Sequence, residues 1–298
     1  MGGRIRSLDD TIFDIVNYIF AGLCFFLIAY PLIYVISASF SSPTAVSTGK
    51  VWLFPVDPSV ASYGAIFRNT HITSGYANSI KYTICGTIVS VLVTILAAYP
   101  LSFRDFYGKG FISSLMIFTM LFSGGLIPNY LLVSQLKMLN TIWAMIIPGA
   151  FGVWNIVLTR TYIQSNIPHE LHEAAELDGC GDFMALLLIV IPLCKPIIAV
   201  MVLYSMIGIW NSYFDALIYL NKQNMYPLQI ILRDILIQNT IDPANVQNMD
   251  IREQANRLYL INTLKYGIIV VSSAPLLIVY PFVQKYFIKG VMIGSLKG

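Results

Sequence analysis

The residues of this chain that could do chemistry are concentrated in one acidic segment rich in small residues, Pro168–Asp182. Its two histidines invite a zinc interpretation, but a metalloprotease helix needs the second His four positions after the first, and His172 follows His169 by three. The chain also has no GxxxxGK[ST] loop, which would hold the phosphates of a nucleotide. We therefore predict no catalytic residue, no metal site and no cofactor in this chain.

The same segment predicts a short helix with a sharp end. Pro168 suits a first turn, where its missing N–H would be unpaired anyway. Glu170 and Glu173 follow in the early turns, where the helix dipole favours negative charge. Gly179 ends the helix because glycine adopts the left-handed conformation of a helix stop, and Asp182 can cap the next helix.

The surface of this helix favours a protein partner over lipid. Ala174, Ala175 and Asp178 are small enough for another protein's backbone to approach. An amphipathic helix at the membrane interface is the alternative, but such helices use Lys, Arg and large apolar anchors, which are missing here. We predict that the segment is a docking helix for a cytoplasmic partner.

The rest of the chain is hydrophobic enough to lie in lipid. Of 298 residues, 57% are hydrophobic and 11% are charged, against about 25% charged residues in an average soluble domain. A spanning helix needs roughly 20 apolar residues. We predict an all-α membrane protein forming one transmembrane domain over 1–298, with six spans at about 15–40, 80–103, 111–136, 141–163, 183–213 and 265–283.

Local sequence refines this outline. Residues 123–125, Ser-Gly-Gly, and Pro128 should bend the third span, and Pro192 and Pro196 the fifth. The loop at 41–78 is long enough for short helices. Basic residues in the short connections place both termini and the 168–182 segment in the cytoplasm by the positive-inside rule.

The spacing within the acidic segment resembles a known family signature. Glu173-Ala174-Ala175, three residues, Gly179, nine residues, Ile189, one residue and then Ile191-Pro192 is similar to the EAA motif of ABC importer permeases. The chain departs from that pattern only in Ile191, where the family has leucine. The exchange conserves volume, so we expect it to be tolerated.

Further stretches resemble one branch of that family over nearly the whole length. They are FSGGLIPNYLL (122–132), LNTIWAMIIPGA (139–150), IWNSYFDALIYL (209–220) and the ending KGVMIGSLKG. The branch is the carbohydrate importers, and the likeness is to the six-span second permease of maltose- and alginate-type importers. The resemblance therefore implies a type I importer fold and an oligosaccharide substrate.

The resemblance also implies an assembly in the bacterial plasma (inner) membrane. A second homologous permease would complete the translocation path, an extracytoplasmic binding protein would deliver the sugar, and two ATPase subunits would carry ATP and Mg. The segment 220–262 would lie outside the cell, and the tail 295–298 would reach toward the ATPases. The residues that would couple this chain to an ATPase are Glu170, Glu173, Ala174, Ala175, Asp178 and Gly179.

A second set of residues is a candidate for the translocation path. Aromatic faces stack on sugar C–H surfaces and amides bond hydroxyls, which suits Trp210, Asn211 and Tyr213 near the outer end of the fifth span. An interfacial aromatic belt is the alternative for Tyr213. Trp154 and Asn155 lie within the fourth span, where an amide facing lipid would be costly, so they should face the path or a partner helix.

Two other functions compete with an importer permease. An ion-coupled secondary transporter would be expected to show paired ionisable residues at mid-membrane and often inverted repeats; Lys195 is a lone candidate and the sequence has no repeat. A membrane-embedded enzyme would need a nucleophile–base pair or a metal set, and the sequence offers no convincing one.

Overall fold

In the computed structural model, residues 8–237, 264–282 and 284 are described, and all regular structure among them is helical. The predictions for 295–298 and for most of the 220–262 segment fall outside these residues. The helices are α1 (Leu8–Ser39), α2 (Pro43–Ser47), α3 (Ala61–Arg68), α4 (Thr70–Ser102), α5 (Lys109–Leu121), α6 (Leu126–Gln135), α7 (Ile142–Ile146), α8 (Val153–Asn166), α9 (His169–Leu177), α10 (Asp182–Ala185), a π-helix (Leu186–Val190), α11 (Ile191–Leu193), α12 (Lys195–Trp210), α13 (Phe214–Tyr219), a 3₁₀ turn (Gln223–Met225), α14 (Leu228–Ile237) and α15 (Leu264–Phe282).

Within the described residues, three helices are long and apolar enough to cross a membrane by themselves: α1 from Asp10, α4 and α15. Two bent pairs, α5 with α6 and the 182–193 helix with α12, raise the number to five if each pair is one span. The all-α class is therefore confirmed for this part of the chain, whereas six spans stay a prediction.

The chain divides into two compact units. The first combines Met1–Thr70 with Asp234–Ser273, and the second combines His71–Arg233 with Ala274–Gly298. In the first unit, α1 packs on α15 through an edge-to-face pair of Tyr34 and Tyr266, with ring centroids 5.7 Å apart. The 41–78 loop carries α2 and α3, as its length predicts.

The predicted break in the third span is present. The axes of α5 and α6 meet at 115°, and the chain between them has Gly125 at φ +88°. Pro128 lies in the first turn of α6, where a missing N–H costs no helical hydrogen bond.

The predicted fourth span, 141–163, contains two helices. α7 ends at Ile146 and α8 begins at Val153. Pro148, Gly149 and Gly152 lie between them, and proline and glycine disfavour a continuous helix there. With 14 residues, α8 is about 21 Å long at 1.5 Å per residue, less than a bilayer core of about 30 Å.

The second span begins ten residues before its predicted start, at Thr70 instead of 80. Residues 78–82 of α4 hydrogen-bond to the segment 224–228. Asn78 Nδ2 donates to the carbonyl of Asn224 at 2.8 Å, and the N–H of Leu228 donates to Ser79 Oγ at 2.8 Å. These contacts stabilise the first ten residues of a helix that hydropathy alone would begin later.

The predicted fifth span is bent, as its prolines predict. The helical stretch 182–193 and α12 meet at 83° next to Cys194, between Pro192 and Pro196. A π-helical turn at Leu186–Val190 precedes the bend. Such turns leave backbone groups less regularly paired than an α-helix does.

One core in the second unit joins the helices next to α9. Buried side chains of α4, α5, α8, the π-helix and α12 meet there. They include Ala98, Met116, Ile156, Leu186 and Met201. Close-packed side chains therefore connect these helices directly.

A row of buried hydroxyls runs along α4. Thr83, Thr87, Ser90 and Thr94 are each less than 9% exposed, and Ser205 of α12 hydrogen-bonds Ser90 at 3.2 Å. Small polar residues let membrane helices approach closely and bond across the interface. α4 is therefore the central packing helix of this unit.

Candidate functional site

α9 is the short helix that the sequence predicts, and it ends in a Schellman motif. Gly179 has φ +78° and donates its N–H to the carbonyl of Glu176 at 2.9 Å. The N–H of Cys180 donates to the carbonyl of Ala175 at 2.8 Å. This pair of bonds is the helix stop that a left-handed glycine allows.

One face of α9 is open to solvent. The exposed residues include Glu170, Glu173, Ala174, Asp178 and Gly179, all predicted to couple to an ATPase. Leu171 and Leu177 are 40% and 90% exposed, so α9 does expose large apolar side chains, contrary to the expectation from the sequence that such anchors are missing. The solvent-facing surface of α9 therefore combines carboxylates with two leucines.

Ala175 differs in exposure from the other predicted coupling residues. It is only 6% exposed and lies on the inner side of α9. Its small side chain therefore allows α9 to lie close to the rest of this chain, and is not available as a contact for a docked protein.

The inner side of α9 rests on aromatic residues at the end of α4. The ring of His172 lies 4.4 Å from the ring of Phe103 and 6.3 Å from that of Tyr99, centroid to centroid. Tyr99 and Phe103 themselves make an edge-to-face pair at 4.9 Å. We missed this aromatic cluster in the sequence; its one signal is a Tyr and a Phe four residues apart where an apolar run ends.

Both histidines of α9 face carboxylates. His169 Nδ1 lies 3.1 Å from Glu173 Oε1, and His172 Nε2 lies 3.5 Å from both Glu176 Oε1 and Asp182 Oδ1. Asp182 was predicted to cap the next helix, and this is wrong. It is the first residue of α10, its cap position is taken by Gly181, and its side chain points to His172.

A short corner connects α9 to the fifth span. α9 ends at Leu177 and α10 begins at Asp182. The Tyr99 hydroxyl donates to the Asp182 backbone carbonyl at 3.2 Å, so the end of α4 also holds this corner. Only the four residues 178–181 therefore separate α9 from the start of the predicted fifth span.

A cleft of about 420 Å³ lies beside α9 in the second unit. Its wall combines apolar groups such as Phe103 and Ile167 with polar ones such as Arg104, Gln164 and Glu170. Gln164 Nε2 donates to the Ser102 carbonyl at 2.9 Å and ties α8 to the end of α4.

The candidate path residues differ in exposure and in their local contacts. Trp154 is 56% exposed on the first turn of α8. The side chain of Asn155 lies over its own first turn, 3.3 Å from where a Cβ on Gly152 would be. Both are accessible enough to face a path or a neighbouring helix.

Trp210 packs against α4 within this chain. It is 3% exposed and makes an edge-to-face pair with Tyr76 of α4 at 5.7 Å. Asn211 and Tyr213 are exposed, but Asn211 Nδ2 donates to the Ile207 carbonyl at 2.9 Å. Among Trp210, Asn211 and Tyr213, the Tyr213 side chain is therefore the most accessible to a ligand.

Comparisons with known proteins agree with this architecture. No family model matches the chain. It is 36% identical to the protein LplC of Bacillus subtilis (strain 168) over 99% of both chains. It is also 37% identical to the polygalacturonan/rhamnogalacturonan transport system permease protein YtcP of the same organism, over 98% of this chain and 100% of the relative. The chain belongs to the permeases of ABC carbohydrate importers.

A solved structure supports this family assignment. The permease matches a chain in the crystal structure of a bacterial ABC transporter involved in the import of the acidic polysaccharide alginate. The TM-score is 0.86 at 35% identity, covering 96% of this permease and 100% of that chain. The predicted family resemblance is thus confirmed, and so is the membrane-protein class.

Proposed function

We propose that this permease and a second homologous permease form the translocation path of an ATP-driven oligosaccharide importer. Two ATPase subunits would dock on the cytoplasmic side, one of them on α9. A polygalacturonan/rhamnogalacturonan permease and an alginate importer among the relatives support an oligosaccharide substrate. ATP and Mg would be bound by the ATPases, so this chain itself hydrolyses nothing.

The observation that carries the proposal is the two-sided character of α9. Its outer face exposes Glu170, Glu173 and Asp178, while its inner face is packed through Ala175 and His172. A helix held firmly on one side and open on the other can receive force and pass it on. A surface helix with both sides solvated would move without moving the spans.

The mechanism follows from the connection of α9 to the bundle. When ATP closes the ATPase dimer, α9 is displaced as a rigid body. The corner at 178–181 pulls the start of the fifth span, and the shared core carries the motion to α4, α5 and α8. The path then changes from inward-facing to outward-facing, by the rigid-body class of allosteric transition.

The proposed topology has six crossings of the bacterial plasma membrane. α7 and α8 together would make the fourth, with both termini and α9 in the cytoplasm. A binding protein would deliver the sugar on the outer side.

Trp154, Asn155 and Tyr213 remain candidates for the path itself. Membership in the ABC permease family replaces the ion-coupled alternative, whose one candidate, Lys195, is exposed at the start of α12.

The proposal is tested with the complete importer in proteoliposomes, measuring uptake of a labelled oligogalacturonide or alginate oligosaccharide with ATP inside. Glu173→Lys reverses a charge on the exposed face of α9, and we expect uptake to fall at least about tenfold, which corresponds to about 1.4 kcal/mol of lost docking. Asp105→Lys makes the same change in the exposed α4–α5 turn and should leave uptake unchanged. Equal uptake by the Glu173 variant, or ATP hydrolysis by the isolated permease, would contradict the proposal.

A further inference from the structure

Three side chains converge at the corner between α9 and α10, where the sequence showed no metal-binding pattern. They are His172 and Glu176, one turn apart on α9, and Asp182, the first residue of α10. The donor atoms Nε2, Oε1 and Oδ1 all lie within 4.8 Å of one another. The rejected pattern used the two histidines of α9, whereas this trio takes its third ligand from the next helix.

The two distances from His172 Nε2 to the carboxylate oxygens are close to the separation of two ligand atoms around one metal ion. His172 Nε2 is 3.5 Å from each carboxylate oxygen, beyond the usual 2.7–3.2 Å of an N–H···O hydrogen bond. Around a tetrahedral ion with bonds of about 2.1 Å, ligand atoms are separated by roughly 3.4 Å. His169 and Glu173 on the same helix, at 3.1 Å, show the closer approach of a simple hydrogen-bonded pair.

The imidazole is also held in place. The His172 side chain is 15% exposed and its ring packs on Phe103 at 4.4 Å, which limits its rotation. Glu176 and Asp182 are 61% and 75% exposed, so an ion can enter from solvent and keep a water as its fourth ligand. A fixed nitrogen with two adjustable carboxylates is a workable arrangement for a metal site.

We propose that His172, Glu176 and Asp182 bind a divalent transition-metal ion of the Zn²⁺ type. An imidazole nitrogen with two carboxylates suits Zn²⁺, whereas Mg²⁺ and Ca²⁺ prefer all-oxygen sites. The bound ion would bridge the end of α9 and the start of α10 and stiffen the corner between them. The proposal concerns this chain alone and does not depend on its transport activity.

The test uses the full-length permease, free of any histidine tag, in detergent or nanodiscs without its partners. Zn²⁺ binding is measured by titration calorimetry, and Co²⁺ serves as a visible probe of a tetrahedral site. We expect one ion per chain with a dissociation constant below about 100 μM, and a rise of the unfolding temperature with Zn²⁺ concentration. Because the readout needs neither ATP nor sugar, its failure is separable from failure of the importer proposal.

Two conservative variants decide the assignment of ligands. Asp182→Asn removes an exposed carboxylate of the trio and should weaken Zn²⁺ binding at least about tenfold, with the unfolding temperature in EDTA unchanged. Glu173→Gln removes the carboxylate of the neighbouring His169 pair and should keep the affinity within about twofold. No stoichiometric binding by the unmodified chain, or equal affinity of the Asp182 variant, would overturn the proposal.

Discussion

The imidazole of His172 lies against the ring of Phe103, with centroids 4.4 Å apart and planes inclined by 44°. His172 belongs to α9, and Phe103 directly follows α4. The pair therefore joins the exposed acidic helix to the central packing helix of its unit. A contact between two aromatic rings stabilises a fold by about 0.5–1.5 kcal/mol, in addition to the energy gained from the surface area that it buries.

Removing this contact should loosen α9 without removing it from the surface. For Phe103→Ala we expect fewer sugars transported per ATP hydrolysed, because α9 can then move without the spans. A double-mutant cycle with His172→Ala, read from unfolding temperatures, should give a coupling energy of about 1 kcal/mol. Phe106→Ala, an exposed residue in the same turn, is the matched control; a coupling energy near zero between His172 and Phe103 would contradict the contact's importance.

Gly179 should be sensitive to backbone conformation more than to side-chain size. It has φ +78°, and no described heavy atom lies within 4 Å of an added Cβ. Gly179→Val forces a branched residue into the left-handed region at a cost of about 1–2 kcal/mol, so α9 should fray and uptake should fall. Gly179→Asn adds a similar volume but tolerates that conformation, and we expect most uptake to remain. Equal loss in both variants, measured in proteoliposomes, would mean that bulk at this position matters and not φ.

Removing the buried hydroxyl of Thr94 and removing that of Ser90 should change the stability of the protein in opposite directions. Thr94 is 1% exposed and its Oγ1 has no hydrogen-bond partner among the described residues. Thr94→Val keeps the shape and removes the cost of an unpaired buried hydroxyl, so we expect stability to rise by about 1 kcal/mol. Ser90→Ala instead leaves Ser205 without its 3.2 Å partner and should lower stability by a similar amount. Unfolding temperatures of the two purified variants check this; a loss in Thr94→Val would show that its hydroxyl is used.

Several elements followed from local sequence. The left-handed Gly179, the break at 122–125 and the bend between Pro192 and Pro196 are all present. Each depends on the conformational limits of a glycine or proline at one position, and these limits act without long-range contacts. The ends of α9 at His169 and Leu177 lie close to Pro168 and Gly179 for the same reason.

Elements that depend on distant parts of the chain could not be placed so well. The ten-residue extension of α4 is stabilised by a hydrogen bond from Asn78 to the carbonyl of Asn224, 146 positions away in the sequence. A hydropathy average over about 20 residues cannot include both. The partnership of Asp182 with His172 needs the turn at 178–181 to bring two helices together. Burial of Trp210 on Tyr76 likewise depends on how two spans pack.

The most direct measurement of the central claim is crosslinking of α9 to an ATPase subunit in membranes containing the whole importer. Ala174→Cys places a thiol on the exposed face of α9, in a chain whose four native cysteines, Cys24, Cys85, Cys180 and Cys194, are replaced by serine or alanine. Lys137→Cys, exposed in the turn after α6, marks the face proposed to lie outside the cell.

We expect the Ala174 variant to crosslink to the ATPase and the crosslink to respond to ATP, while the Lys137 variant gives no such product. Labelling of the Ala174 variant only from outside the cell, or an importer in which no ATPase is captured by α9, would contradict the account.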